Sequence, residues 1–310
     1  MNDYFRRFIE ALSSGNVERR TDLNTGNEAI FQNGHMIAAT DYSLSYSSPD
    51  LTETVKAEPH LVLFGAGHIG KALYDLGVLQ KMRMTVLDDR AELLTEERFP
   101  EAERHIGSFE ELLAREYDVI CPSYVIFTHG HSHDTDCLRY TLRHSSSYIG
   151  MIGSKAKSKK ALEQLREEGF SDEALASVHT PVGLPIGAET PEEIAISIMA
   201  EIISVFRSGE GFTTVDPDLL KILSEKSGMV IRIIRKNGSA PRATGTMMFV
   251  DRERTYGTIG GGNIEKEAIA EARKALVLGT STFSKEYNLT AHGDIGMVCG
   301  GNETLLFSKI

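Results

Sequence analysis

Three short stretches of this chain hold residue types at spacings that can do chemistry. The first is "FGAGHIG" (64–70), where Gly65, Gly67 and Gly70 follow the apolar run "HLVLF" and open the helix pattern "IGKALYDLGVLQ". In that setting the G-x-G-x-x-G spacing describes a phosphate cradle. The first glycine makes a tight turn, the second lets a phosphate approach backbone, and the third lets helix and strand pack closely. Asp88 ends the next apolar run, "RMTVLD", about twenty residues on, where an acid can bond ribose hydroxyls. Arg90 beside it suits a 2′-phosphate, and His68 sits inside the turn itself. A turn of this kind kept only for packing reads the same way, because fold does not fix function.

The second stretch is "THGHSHD" (128–134), with His129, His131 and Asp134 on a loop. Imidazoles two apart can share a metal ion, and an acid after them suits a binuclear hydrolase. His144, His179 and His292 fall in no ligand spacing with them, so a polar loop facing a cofactor or substrate is the favoured reading. The third is "MIGSKAKS" (151–158), where Ser154 and Lys155 at a helix start offer a hydroxyl and an ammonium to an anion. Ordinary capping by Ser154 beside a solvated lysine is an equal alternative. Further on, "GSAPRATG" (238–245) presents Arg242 from a Gly/Pro-restricted loop. "GTIGGGNIE" (257–265) places Gly260, Gly261 and Gly262 before a helix carrying Glu265, and "GMVCGGNE" sets Cys299 among small residues.

The elements that must position these residues follow from periodicity. From about 60 to 208, apolar strand-like runs alternate with helix patterns, which predicts βαβ crossovers and a mostly parallel sheet covered on both faces. In "AETPEEIAISIMAEII", Thr190 suits an N-cap, Pro191 the first helical position and Glu193 a capping box. A polar stretch at 43–54 and another at 207–218 read as linkers. Beyond the second, "LLKILSEKSG" is a helix, "MVIRIIRK" a strand, "TMMFVDRERTYGTI" a hairpin and "NETLLFSKI" a terminal strand. The expected architecture is therefore α/β: a Rossmann-type parallel-sheet domain over 58–208 and a smaller α+β domain over 216–310. Residues 1–57 form a helix and hairpin whose order loosely echoes the C-terminal domain.

Composition narrows the class. A hydrophobic content of 41% over 310 residues is enough for a sizeable core. A net charge of −11 argues against nucleic acid and anionic membranes as partners. The three cysteines are too scattered for a disulfide framework, the first residues lack a signal-peptide core, and the richest apolar window, 194–206, is broken by Glu201. A cytoplasmic protein is expected.

Taken in order, "FGAGHIG", "VLDDR", "FTHGHSHD", "YIGMIGSK", "HTPVGLPIGAETPEEIAISIMAEII", "GSAPRATG", "GTIGGGNIE" and "CGG" resemble the XdhC/CoxI accessory proteins of molybdenum hydroxylases such as xanthine dehydrogenase. The resemblance covers about residues 60–310. It implies a protein that binds molybdenum cofactor, a phosphate-bearing pterin dithiolene, protects it during sulfuration and delivers it to a hydroxylase. A cysteine desulfurase is then a further partner, and a homodimer the expected assembly. The cofactor-binding set is expected to be Gly65, Gly67, His68, Gly70, Asp88, His129, His131, Asp134, Ser154 and Lys155, facing Arg242, Gly260, Gly261, Gly262, Glu265 and Cys299. The chain departs from the pattern at Asn263, where a cysteine often follows the triple glycine, at His133, where the pattern is apolar, and in placing the small domain after the Rossmann domain. The other readings are an NAD(P)-dependent oxidoreductase using the glycine turn with Asp88, and a metallohydrolase built on the histidines.

Overall fold

The structure, a computed structural model, describes residues 2–209, 211–238, 243–288 and 301–310. It divides into two units, Pro59–Gly209 and a second formed by both ends of the chain, Met1–Glu58 with Glu210–Ile310. The N-terminal end supplies α1 (Asp3–Ser13), β1 (Val17–Thr21), β2 (Glu28–Gln32), β3 (His35–Ala39) and β4 (Leu51–Ala57). The middle runs β5 (His60–Phe64), α2 (His68–Leu79), β6 (Arg83–Asp88), β7 (Glu103–Ile106), α3 (Phe109–Leu113) and β8 (Pro122–Ile126). It continues through α4 (Asp134–Thr141), β9 (Tyr148–Met151), α5 (Lys155–Glu167), α6 (Asp172–Ala176), β10 (Val178–His179) and α7 (Pro191–Arg207). The C-terminal end adds β11 (Phe212–Val215), α8 (Pro217–Glu225), β12 (Met229–Gly238), β13 (Met247–Val250), β14 (Thr255–Gly257), α9 (Gly262–Leu278), β15 (Thr282–Asn288) and β16 (Gly301–Lys309).

In the middle unit the sheet order is β10-β9-β8-β5-β6-β7, and every pairing is parallel. Numbered from β5 outward this is the doubly wound dinucleotide order, and it reverses between β5 and β8. All five residues of β5 are buried, as a central parallel strand requires. Leu61 and Leu63 point into a core shared with α2 and α7, while Val62 and Phe64 point into one shared with α3, α4, α5 and α6. That split is the two-residue period of the strand expressed in packing. The capping box of α7 forms as its sequence predicts, with Thr190 Oγ1 accepting from Glu193 N–H at 3.3 Å and Glu193 Oε2 accepting from Thr190 N–H at 3.1 Å. Glu201, the charge inside that apolar helix, accepts from the Tyr148 hydroxyl at 2.5 Å and from Gly183 N–H at 2.9 Å.

The other unit holds two five-stranded sheets, β11-β4-β1-β2-β3 and β14-β13-β12-β16-β15. Two expectations are corrected here. The stretches 43–54 and 207–218 are not linkers throughout, because β4 begins inside the first and β11 lies inside the second, and the two pair in parallel from Phe212↔Thr54 to Val215↔Ala57. Their threonine-rich sequence hides them: β11 is a four-residue edge strand, and β4 buries only alternate positions. Two arginines also lie in the core of this unit. Arg19 on β1 and Arg232 on β12 are 1% and 2% exposed. Arg19 bonds Glu53 at 2.9 Å, and Arg232 reaches Glu28 at 2.6 Å and Thr21 Oγ1 at 2.9 Å. Among the described residues, no helix is long and apolar enough to cross a membrane.

Candidate functional site

In an open parallel sheet, ligands bind beyond the carboxyl ends of the strands where the strand order reverses. Here that point lies between β5 and β8, whose ends are in register at Phe64↔Ile126. Phe127 N–H donates to Phe64 O at 3.1 Å, so the glycine turn and the histidine loop leave the sheet side by side.

The three glycines divide by role. Gly65 has φ +135°, and a Cβ on it would lie 2.6 Å from Phe127 O. A Cβ on Gly70 would strike the Gly65 carbonyl oxygen and come within 2.9 Å of the Phe127 ring. Both are demanded by the packing of turn, helix and neighbouring loop. Gly67 is different: its φ is −69° and a Cβ there would meet no atom within 4 Å. It is the N-cap of α2 and offers that helix no side-chain cap, so no side chain of its own covers the helix start. His68, exposed, is the first residue of the helix.

Asp88 is buried under this turn, 1% exposed. Its Oδ2 accepts from Ala66 N–H at 2.5 Å and from an Arg90 NH2 group at 2.7 Å, and its Oδ1 from Arg90 N–H and Nε, both at 2.9 Å. Burial alone would raise this carboxyl, but the Arg90 guanidinium and the two backbone donors hold it below its ordinary value. Both oxygens are engaged within the protein. In the structure Asp88 and Arg90 clamp the glycine turn to the end of β6.

The histidine loop is built around Asp134, the first residue of α4 and 6% exposed. Oδ1 accepts from Thr128 N–H at 3.0 Å and from its hydroxyl at 2.7 Å, and Oδ2 lies 2.7 Å from His131 Nδ1. An ionised carboxylate can only accept, so Nδ1 carries the proton and Nε2 is left as the ring's outward nitrogen. The backbone of His131 is held at φ +60°, a conformation costing a non-glycine residue about 1 kcal/mol or more. His129 is exposed, while His133 stacks on Phe109 at 5.0 Å between ring centroids. Among the described residues, no three His, Cys, Asp or Glu side chains gather as a metal site.

One strand further on, Ser154 caps α5 by accepting from Lys157 N–H at 3.4 Å, and Lys155 is exposed in the first turn. In the two-ended unit, Gly260, Gly261 and Gly262 have φ of +126°, +74° and +66°. Glu265 sits behind them and not before them. Its Oε2 accepts from the Thr258 hydroxyl at 2.5 Å, Gly261 N–H at 3.0 Å and Ile259 N–H at 3.1 Å, fixing the turn from below. Arg242 and Cys299 lie outside the described residues. Sequence reasoning misses Thr128, whose two bonds orient Asp134. It also misses Lys157 and Lys160, whose i, i+3 spacing beside buried Ser158 and Ala161 puts them along one edge of α5.

Two family models match the chain, one described as the XdhC Rossmann domain over residues 61–202 and one as the XdhC and CoxI family over 222–288. The chain belongs to the XdhC/CoxI family. A protein of Escherichia coli named uncharacterized protein YqeB is 34% identical over 58% of this chain and 32% of its own length. A protein of Bacillus subtilis, named as a probable xanthine dehydrogenase subunit, is 33% identical over 49% of this chain and 44% of its own. The chain thus spans less than half the length of either relative. A solved structure titled a xanthine dehydrogenase, from Bacillus halodurans, is 25% identical with a TM-score of 0.48 over 66% of each chain. The XdhC Rossmann model accounts for the fold of the middle unit.

Proposed function

We propose that this XdhC/CoxI protein binds molybdenum cofactor as its cargo and shields it during maturation of a molybdenum hydroxylase of the xanthine dehydrogenase type. The observation that carries the reading is Gly67: in a member of this family, the second glycine of the turn leaves the N-terminus of α2 open, without a side chain of its own in the way. Backbone N–H groups at a helix start suit the terminal phosphate that the cofactor carries. The imidazoles of His68 and His129 and the oriented Nε2 of His131 supply polar neighbours on the adjoining loops. A nicotinamide dinucleotide fits less well, because Asp88 would have to release Arg90 and Ala66 before it could take ribose hydroxyls.

In this reading the hydroxylase is the recipient, a cysteine desulfurase supplies sulfur, and a cytoplasmic homodimer is the working form. Ser154, Lys155, Arg242, Gly260–Gly262, Glu265 and Cys299 stay within the proposal as residues to be tested. The experiment is to mix purified protein with molybdenum cofactor and follow its oxidation against a protein-free control. Retarded oxidation is the expected result, and an unchanged rate would contradict the proposal. Nicotinamide fluorescence that shifts on adding NADH or NADPH would move the site to the dehydrogenase reading.

A further inference from the structure

On the opposite face of the parallel sheet from α2, a cleft of about 340 Å³ opens at the carboxyl ends of β8 and β9. One wall is His131, its Nδ1–H tied to Asp134 and its Nε2 left for the cleft. The other wall is the edge of α5 that carries Lys157, Lys160 and Gln164 at i, i+3 and i+7, a span of about 10 Å. Met151, Ile152 and Ala161 give the cleft its apolar lining. Neither Lys157 nor Lys160 has a carboxylate partner among the described residues, whereas Lys159 on the same helix is ion-paired with Glu163 at 3.7 Å. The helix start contributes little here, because the Ser154 hydroxyl already caps it.

We propose that this cleft binds a phosphomonoester carried on a flat heterocycle. The phosphate lies between the ammoniums of Lys157 and Lys160, and one of its oxygens accepts from Nε2–H of the His131 imidazolium, whose Nδ1–H stays on Asp134. The ring lies along Ile152 and Ala161 with its edge at the Gln164 amide. The charges match, since a phosphomonoester carries about −1.5 to −2 at neutral pH and two lysines without carboxylate partners face it. The buried Asp134 adds no competing acceptor, because both of its oxygens are taken. The left-handed backbone of His131 sets the ring at the cleft, with the Asp134 carboxylate behind it to hold Nδ1–H and favour the imidazolium. The cleft shares His131 with the cofactor reading, but its lysines belong to α5 and not to the open start of α2.

The test uses the full chain and adenosine 5′-monophosphate as the probe, with inorganic phosphate beside it. Calorimetry is expected to give one saturable site, with the nucleotide tighter than phosphate. The His131 imidazole nitrogen resonances should shift on binding. The pair Lys157→Ala and Lys160→Ala should weaken the nucleotide by at least about tenfold for each lysine lost. Lys159→Ala with Lys274→Ala, both exposed and outside the cleft, should bind as the parent does. Gly67→Asp should also bind as the parent does, so that a failure of the cofactor reading leaves this result intact. Displacement of the nucleotide by molybdenum cofactor would show that the cofactor's phosphate also enters this cleft, and no displacement would show that the cleft's ligand is not the cofactor. No saturable binding, equal losses in both lysine pairs, or unmoved His131 resonances would overturn the proposal.

Discussion

At the scale of single residues, the glycine turn separates packing from ligand approach. Gly70→Ala drives a methyl group into the Gly65 carbonyl and the Phe127 ring, and should cost about 1–3 kcal/mol in chemical denaturation. Gly67→Asp meets no atom and supplies a cap that α2 lacks, so stability should hold or rise by up to about 1 kcal/mol. The same carboxylate fills the anion position and should abolish binding of a phosphate there. Asp88 makes a second prediction, with a sign. Its folded value is depressed below the ordinary 3.8, so its stabilisation is present above that pH and lost as pH falls through the depressed value. Asp88→Asn should therefore weaken the fold at neutral pH and flatten the acid limb of a stability-against-pH curve below about pH 4. An unchanged acid limb would mean that the clamp contributes nothing. The glycines are legible in the sequence because their spacing has few other uses. The engagement of Asp88 by Arg90 and the locking of Asp134 by Thr128 are not, because nothing in residue type says which partner a carboxylate will choose.

At the scale of elements, α7 is readable end to end because a capping box and a proline announce it locally. The alternation of β5, α2 and β6 is readable because each carries its own apolar period. β4 and β11 are not, because their pairing joins residues more than 150 positions apart and their sequence is rich in threonine and charge. Arg19 and Arg232 are equally hidden, since charged side chains in a strand ordinarily mark a solvated face. Their burial makes Glu53 the shared anion of two guanidiniums, at 2.9 Å from Arg19 and 3.4 Å from Arg232. Glu53→Gln should cost about 3–5 kcal/mol, because it leaves buried positive charge uncompensated. Glu18→Gln, which removes the half-exposed partner of Arg20, should cost less than about 1 kcal/mol. Equal losses in the two variants, read from urea midpoints, would show that the buried cluster is no more stabilising than a surface pair.

At the scale of the whole molecule, a parallel-sheet unit is inserted between the two chain segments that build a second unit. Sequence periodicity finds the inserted sheet, but it cannot join residues 1–58 to residues 210–310, because that union is made by strand pairing and buried ion pairs and not by any local pattern. The net charge of −11 leaves anion binding to local sites, where backbone N–H groups or lysines without carboxylate partners overcome the general field. In the proposed function the open start of α2 holds molybdenum cofactor. This is tested most directly by gel filtration of cofactor mixed with the parent protein and with Gly67→Asp, reading molybdenum in the protein peak. Molybdenum is expected with the parent and none with a folded Gly67→Asp. Equal molybdenum in both peaks, or none in either, would contradict it.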